Sequence, residues 1–226
     1  MRIIAVASQK GGVGKTTLAG HIAVQAERDG AGPVALVDAD PQGSLAQWWN
    51  ERKAATPVFA QTSVLQLHDD IDRMRELGIA LLIIDTPPAI TSTIGKVIET
   101  ADLVVIPTRP SPHDLRSVGK TVELVENLEN PFVFVVNNAS SRANITVEAV
   151  IALSQHGALA PAIIHQRTDF ASSMIDGRTV MEIPRKSPSS DEIARLWAYL
   201  DDRLDRIFQP EAMPPLYSLP SAHGRI

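Results

Sequence analysis

The chain has no cysteine in its 226 residues, so it can form no disulfide, no thiolate metal site and no thiolate-held iron–sulfur cluster. Aromatic residues make up only 4% of it while 44% is hydrophobic, so the apolar content is mainly aliphatic. That balance suits parallel strands covered by helices on both faces, where Val, Ile and Leu fill two buried surfaces. No apolar run approaches the roughly 20 residues a membrane-spanning helix needs. The first residues enter a strand-like segment without a cleavable apolar leader, and a cytoplasmic location is expected. The formal net charge of −5 argues against a wholly basic nucleic-acid binder but leaves a basic face on one side open. The six histidines show no metal-ligand spacing and read as structural or surface residues.

What is present is an alternation of apolar runs and turn residues. Residues 2–7 read as a short buried strand, a glycine-rich stretch follows, and residues 15–29 have a helical pattern. Gly30 and Gly32-Pro33 end that helix, and residues 34–37 form a second apolar run that stops at Asp38-Ala39-Asp40-Pro41. Further strands are predicted at 79–84, 103–106, 132–136 and 162–165, with helical patterns between them. The expectation is one α/β domain over residues 1–208: a doubly wound, mostly parallel sheet with helices on both faces. Over residues 190–208, Ile193, Leu196, Trp197, Leu200, Leu204 and Ile207 recur at helical spacing and predict a closing helix. Residues 209–226 carry Pro210, Pro214, Pro215 and Pro220 with little periodicity. They read as a flexible tail or a segment ordered by a partner.

The strongest signal is Lys10-Gly11-Gly12-Val13-Gly14-Lys15-Thr16-Thr17, between the first strand and the first helix. Glycines let successive backbone N–H groups turn inward around a phosphate, and the following helix adds its unpaired N–H groups and positive dipole end. Lys15 is placed to reach the β- and γ-phosphates of ATP, and the Thr16 hydroxyl to ligate the Mg2+ that bridges them. Gly11, Gly12, Val13, Gly14 and Thr17 complete the cradle. The usual loop has a glycine five residues before Gly14; Gln9 stands there instead, so this is a variant. Acidic residues fall where apolar strands run out, at Asp38/Asp40 and Asp85, and such strand ends face the ligand crevice of open α/β sheets. Leu81-Leu82-Ile83-Ile84-Asp85-Thr86-Pro87-Pro88 has the form of a Walker B strand, whose aspartate holds Mg2+ directly or through water. Aspartates also form strand-terminating turns, and that plainer reading stands beside the first.

These motifs together resemble the ParA/MinD superfamily of deviant Walker ATPases, whose phosphate loop runs Lys-Gly-Gly-x-Gly-Lys-Thr/Ser. The resemblance implies that Lys10 crosses a dimer interface to the phosphates bound by a partner subunit. It also implies that Asp40, the later acid of Asp38-Ala39-Asp40-Pro41-Gln42-Gly43, positions or activates the attacking water, with Asp38 supporting the Mg2+ shell. Pro107-Thr108-Arg109-Pro110-Ser111-Pro112-His113-Asp114-Leu115 resembles the segment after the fourth strand of ParA proteins. The likeness is to small, ParF-like partition ATPases, without an N-terminal helix-turn-helix extension. Asn137 stands where related proteins contact adenine, although an asparagine after a strand also serves as a turn residue. Arg167, Arg185 and Lys186 resemble DNA-contacting positions. Trp48 and Trp49 fall in a helical segment and read as packing or interface residues.

The implied cycle is that of a partition or positioning ATPase with weak intrinsic hydrolysis. ATP closes a homodimer that holds DNA nonspecifically, and a ParB-like or cargo-adaptor protein stimulates hydrolysis and releases it. The protein is then nucleoid-associated when ATP-bound. Two other classes share the loop. An ATP-dependent amidase or ligase needs an additional substrate pocket, and a membrane-cycling MinD-like regulator needs a basic amphipathic C-terminal helix, which the prolines at 210–220 oppose. A reductase like the nitrogenase iron protein is excluded by the missing cysteines.

Overall fold

The computed structural model describes residues 1–88, 92–140, 144–183 and 187–209. The elements run β1 (Arg2–Val6), α1 (Lys15–Arg28), β2 (Val34–Asp38), α2 (Ser44–Asn50), β3 (Val58–Phe59), α3 (Leu67–Glu76) and β4 (Leu81–Asp85). They continue as α4 (Ser92–Thr100), β5 (Leu103–Thr108), α5 (Pro112–Asn127), β6 (Phe132–Val136), α6 (Ile145–Ser154), α7 (Thr168–Met174) and α8 (Pro188–Phe208). The strands form one sheet in the order β3-β2-β4-β1-β5-β6, and every pairing in it is parallel.

Strand residues alternate between two cores, which is why the runs look continuously apolar. Ile4, Val6, Leu36, Ile83 and Val105 face one side with α1 and α8 residues such as Leu18, Ile22, Leu196 and Trp197. Ile3, Ala5, Val37, Ile84 and Ile106 face the other, against Ile71, Val97, Ile98 and Val125 of α3, α4 and α5. The closing helix starts earlier than its apolar pattern predicts, because Pro188 fits the first helical turn and the Ser190 hydroxyl accepts from the Ser187 N–H at 3.3 Å. Ile207 does not join the core; it is 36% exposed. Residues 162–165, predicted as a strand, make no ladder. The stretch from 159 to 165 meets β6 and the turn after it at separate points, with isolated bridges of Phe134 with Leu159 and Ala139 with His165. The tail from 210 onward lies outside the described residues.

Register places the chemistry. Val6 of β1 and Asp38 of β2 both stand opposite Asp85 of β4. The carboxyl ends of three adjacent strands therefore finish in one row, from which the loops to α1, α2 and α4 depart.

Candidate functional site

After β1 the chain turns over the strand ends and enters α1 through two glycines with left-handed backbones, Gly12 (φ 72°) and Gly14 (φ 92°). A second constraint acts on Gly14: a Cβ there would collide with the amide nitrogen of Asn137, which donates to the Val13 carbonyl at 2.6 Å. Helix α1 starts with no side-chain cap and no acidic residue in its first turn. Its first backbone N–H groups are thus unspent and face an anion with a favourable dipole. Lys15 is buried, its Nζ 3.5 Å from the Lys10 carbonyl. Burial lowers its pKa, and the nearby Asp85 and Asp40 work in the opposite direction. A depression of about 880 Å³ opens over this loop, lined by Gly11, Gly12, Gly14, Lys15, Thr16, Thr17, Asp40 and Pro88 among others.

Asp85 is 1% exposed. One carboxylate oxygen accepts from the Thr16 hydroxyl at 2.6 Å, and the other is buried without a hydrogen-bond partner among the described residues. Burial pushes its pKa up to about 7, with Asp38 and Asp40 adding repulsion; Thr16 and Lys15 oppose the rise. A buried, unpaired oxygen beside a hydroxyl is the hard donor set that Mg2+ accepts. The described residues contain no cluster of three His, Cys, Asp or Glu able to hold a metal alone, so phosphate oxygens would have to complete the shell. The residues therefore fit Mg2+ held jointly with a nucleotide.

Asp38 spends its oxygens on backbone: Oδ1 accepts from Asp40 N at 3.0 Å, and Oδ2 from Leu45 N at 2.9 Å and Ala46 N at 3.0 Å. It thus anchors the start of α2 and the turn that presents Asp40, a structural duty its spacing did not reveal. Asp40 Oδ1 accepts from Gln42 N at 3.0 Å, and its side chain lines the depression. Lys10 is exposed and stands in a neighbouring cavity beside Arg109.

On the other flank of the loop a cavity of about 400 Å³ is walled by Val13, Thr17, Asn137, His165, Arg167 and Phe170, with others. Asn137 therefore lies at a nucleotide-sized recess, although its amide nitrogen is committed to the loop. Arg167 belongs to this wall; it donates to Glu192 at 2.8 Å and keeps 32% of its side chain exposed. The same carboxylate accepts from His165 N at 3.0 Å and contacts His165 Nδ1 at 2.8 Å. Arg185 and Lys186 lie outside the described residues. Trp48 and Trp49 are packing residues: their ring N–H groups donate to the Arg178 and Pro57 carbonyls at 3.1 and 2.8 Å. Sequence reading missed Glu192 and Arg109. No motif or spacing marks the first, while the second was visible as a cation inside the Pro107–Leu115 motif.

The family model described as the CobQ/CobB/MinD/ParA nucleotide binding domain matches residues 4–180. The chain is 30% identical over 208 residues to the maintenance of carboxysome distribution protein A of Halothiobacillus neapolitanus, covering 85% of this chain and 93% of that one. With the protein of the same name from Gloeobacter kilaueensis it shares 45% identity over 125 residues, 54% of this chain and only 55% of the relative's length. Among solved structures, apo McdA from Cyanothece superposes with a TM-score of 0.71 at 20% identity, covering 88% of this chain and 98% of that one. MinD in the MinC:MinD complex of Aquifex aeolicus gives 0.75 at 18%, covering 89% and 96%. A parallel α/β sheet with a variant phosphate loop at its strand ends, matched over most of its length, makes this chain a member of the CobQ/CobB/MinD/ParA nucleotide-binding family, a ParA/MinD-like ATPase.

Proposed function

We propose that this ATPase positions an intracellular cargo by cycling between an ADP-bound monomer and an ATP-bound, nucleoid-associated homodimer, with a cargo-adaptor or ParB-like partner stimulating hydrolysis. The observation that carries the reading is the row formed by Asp38, Asp85 and the phosphate loop, with the exposed Lys10 beside it. The names of two relatives, both concerning carboxysome distribution, support a protein microcompartment as the cargo; plasmid or chromosomal DNA and a chemoreceptor cluster are the other cargoes the family resemblance implies.

The loop N–H groups and Lys15 hold the terminal phosphates of ATP, and Thr16 with Asp85 would hold Mg2+ beside them. Mg2+ held by those two residues would supply charge neutralisation on the terminal phosphates. Asp40, aimed by the Asp38-anchored turn, orients the attacking water and takes its proton. The water oxygen bonds to the γ-phosphorus while the bridge to ADP breaks. This positioning is incomplete in one subunit, and a partner that tightens it raises turnover.

Lys15→Ala is expected to abolish ATP binding and hydrolysis together. Asp40→Ala is expected to keep ATP and Mg2+ but lose turnover by about 100-fold or more, in the range that general-base catalysis contributes. Nucleotide titration and single-turnover hydrolysis separate the two. Parental turnover by Asp40→Ala would falsify its assignment to the water.

A further inference from the structure

Arg109 follows β5 and precedes the Ser111 cap of α5. Its guanidinium stands beside the phosphate loop: a Cβ on Gly12 would lie 3.6 Å from Arg109 Nη2. Among the described residues little satisfies it. The nearest carboxylate oxygen, Asp114 Oδ2, is 3.6 Å from Arg109 Nε, beyond hydrogen-bond reach, and the same oxygen accepts from the Ser111 hydroxyl. Arg109 Nε is buried with no hydrogen-bond partner among the described residues, while 34% of the side chain remains exposed. Lys10 opens onto the same cavity of about 430 Å³, so among the described residues two cations share it with Asp114 as the one acidic lining residue.

Neither Lys10 nor Arg109 lines the phosphate depression of its own subunit. Both border it from outside, on the rim a second copy would meet if two phosphate loops faced each other. A twofold contact is self-complementary, so a cation pair outside one depression is carried to the depression opposite. A guanidinium fits that task better than a second ammonium, because its planar fork of donors matches phosphate oxygens two at a time.

We propose that Arg109 is a second cross-subunit cation, which with Lys10 takes the terminal phosphate of the nucleotide held by a second copy of the chain. This rests on the ATP-dependent dimer proposed above and adds a residue to its interface. In the absence of a facing phosphate, Lys10 and Arg109, only partly offset by Asp114 3.6 Å from Arg109 Nε, repel the same cations of a second copy. Arg109 therefore makes closure conditional on the triphosphate.

The test compares the parental chain with Arg109→Gln, which keeps most of the stem and removes the charge, and with Arg109→Lys. Dimerisation is followed by light scattering with Mg2+ and a slowly hydrolysed ATP analogue. Nucleotide affinity is titrated on dilute monomer, and melting of the ADP state controls for folding. Arg109→Gln is expected to weaken analogue-driven dimerisation by about tenfold or more, roughly the loss of one charged contact, and Arg109→Lys by less. Monomer affinity and ADP-state melting are expected to match the parent. If the parent dimerises and Arg109→Gln dimerises equally well, the role of Arg109 is overturned. Loss of monomer affinity equal to the loss of dimerisation overturns it as well, by placing the arginine on its own subunit's nucleotide. A parent that stays monomeric with the analogue overturns the ATP-dependent dimer itself and the proposal with it.

Discussion

His21 sits on the second turn of α1 with no exposed surface, and its ring joins the start of α1 to the segment that follows α7. Its Nδ1 lies 2.7 Å from the Thr17 carbonyl, and its Nε2 accepts from the Val180 N–H at 3.3 Å. A carbonyl on one side and an N–H on the other select the neutral ring with the proton on Nδ1. Burial lowers the His21 pKa to about 4; Arg52 also acts to lower it, against the Thr17 carbonyl and Glu182. The unfolded chain therefore binds more protons at this residue than the native one between pH 6.5 and about 4. Its contribution to stability is complete above 6.5 and is lost as pH falls through that window, to a ceiling of about 3 kcal/mol. Urea denaturation at a series of pH values should show a shallower acid loss in His21→Asn than in the parent, and parallel slopes would exclude the effect. This residue also marks the limit of the sequence. Lys15, Thr16 and Asp85 were readable because a loop spacing and a strand end place them, whereas Val180, the second partner of His21, lies 159 residues along the chain.

At the scale of elements, α2 and the segment before α8 are joined through Arg52, whose side chain is 2% exposed. It donates to Glu182 at 2.8 and 3.0 Å, to the Gly177 carbonyl at 2.7 Å and to the Thr56 carbonyl at 2.8 Å, and it lies over the Trp48 ring at 5.0 Å. Gly177 is required there: its φ is 75°, and a Cβ would collide with the backbone of Glu51 and Arg52. Removing one member of a buried ion pair strands the other, at about 3–5 kcal/mol. Arg52→Ala should lower unfolding stability by about that amount, and Arg52→Lys should recover little because a single ammonium cannot serve the fork. A loss under about 1 kcal/mol by denaturant titration would remove Arg52 as the tie. None of this clamp was legible from periodicity. The βαβ start and β4 to β6 were, because each strand carries a continuous apolar run. β3 has only two residues, too few to show alternation. Residues 162–165 have the composition of a strand but lack a full ladder, since β6 exchanges bonds with them and their neighbours only at separate points.

At the scale of the whole molecule, a chain of net charge −5 needs a concentrated basic face if it is to hold DNA. Arg167 is a poor probe of such a face. Its guanidinium is already paired to Glu192, whose side chain is 3% exposed, so removing it takes the cationic partner from a buried carboxylate and leaves, among the described residues, only the His165 contacts. Arg185 and Lys186 are the cleaner test. In the proposed ATP-bound dimer a patch too weak to bind alone would be doubled, so DNA affinity should depend on ATP through avidity. Contacts to phosphate carry no sequence information, so two unrelated duplexes should bind alike, and affinity should fall steeply with salt. Replacing Arg185 and Lys186 with alanine should weaken both duplexes equally. It should also flatten the slope of log affinity against log salt by about 0.9 for each lost phosphate contact, leaving analogue-driven dimerisation intact. Fluorescence anisotropy across a salt series measures affinity and slope together. An unchanged slope in the double variant would exclude this patch, and a parent whose DNA affinity ignores ATP would take DNA out of the cycle.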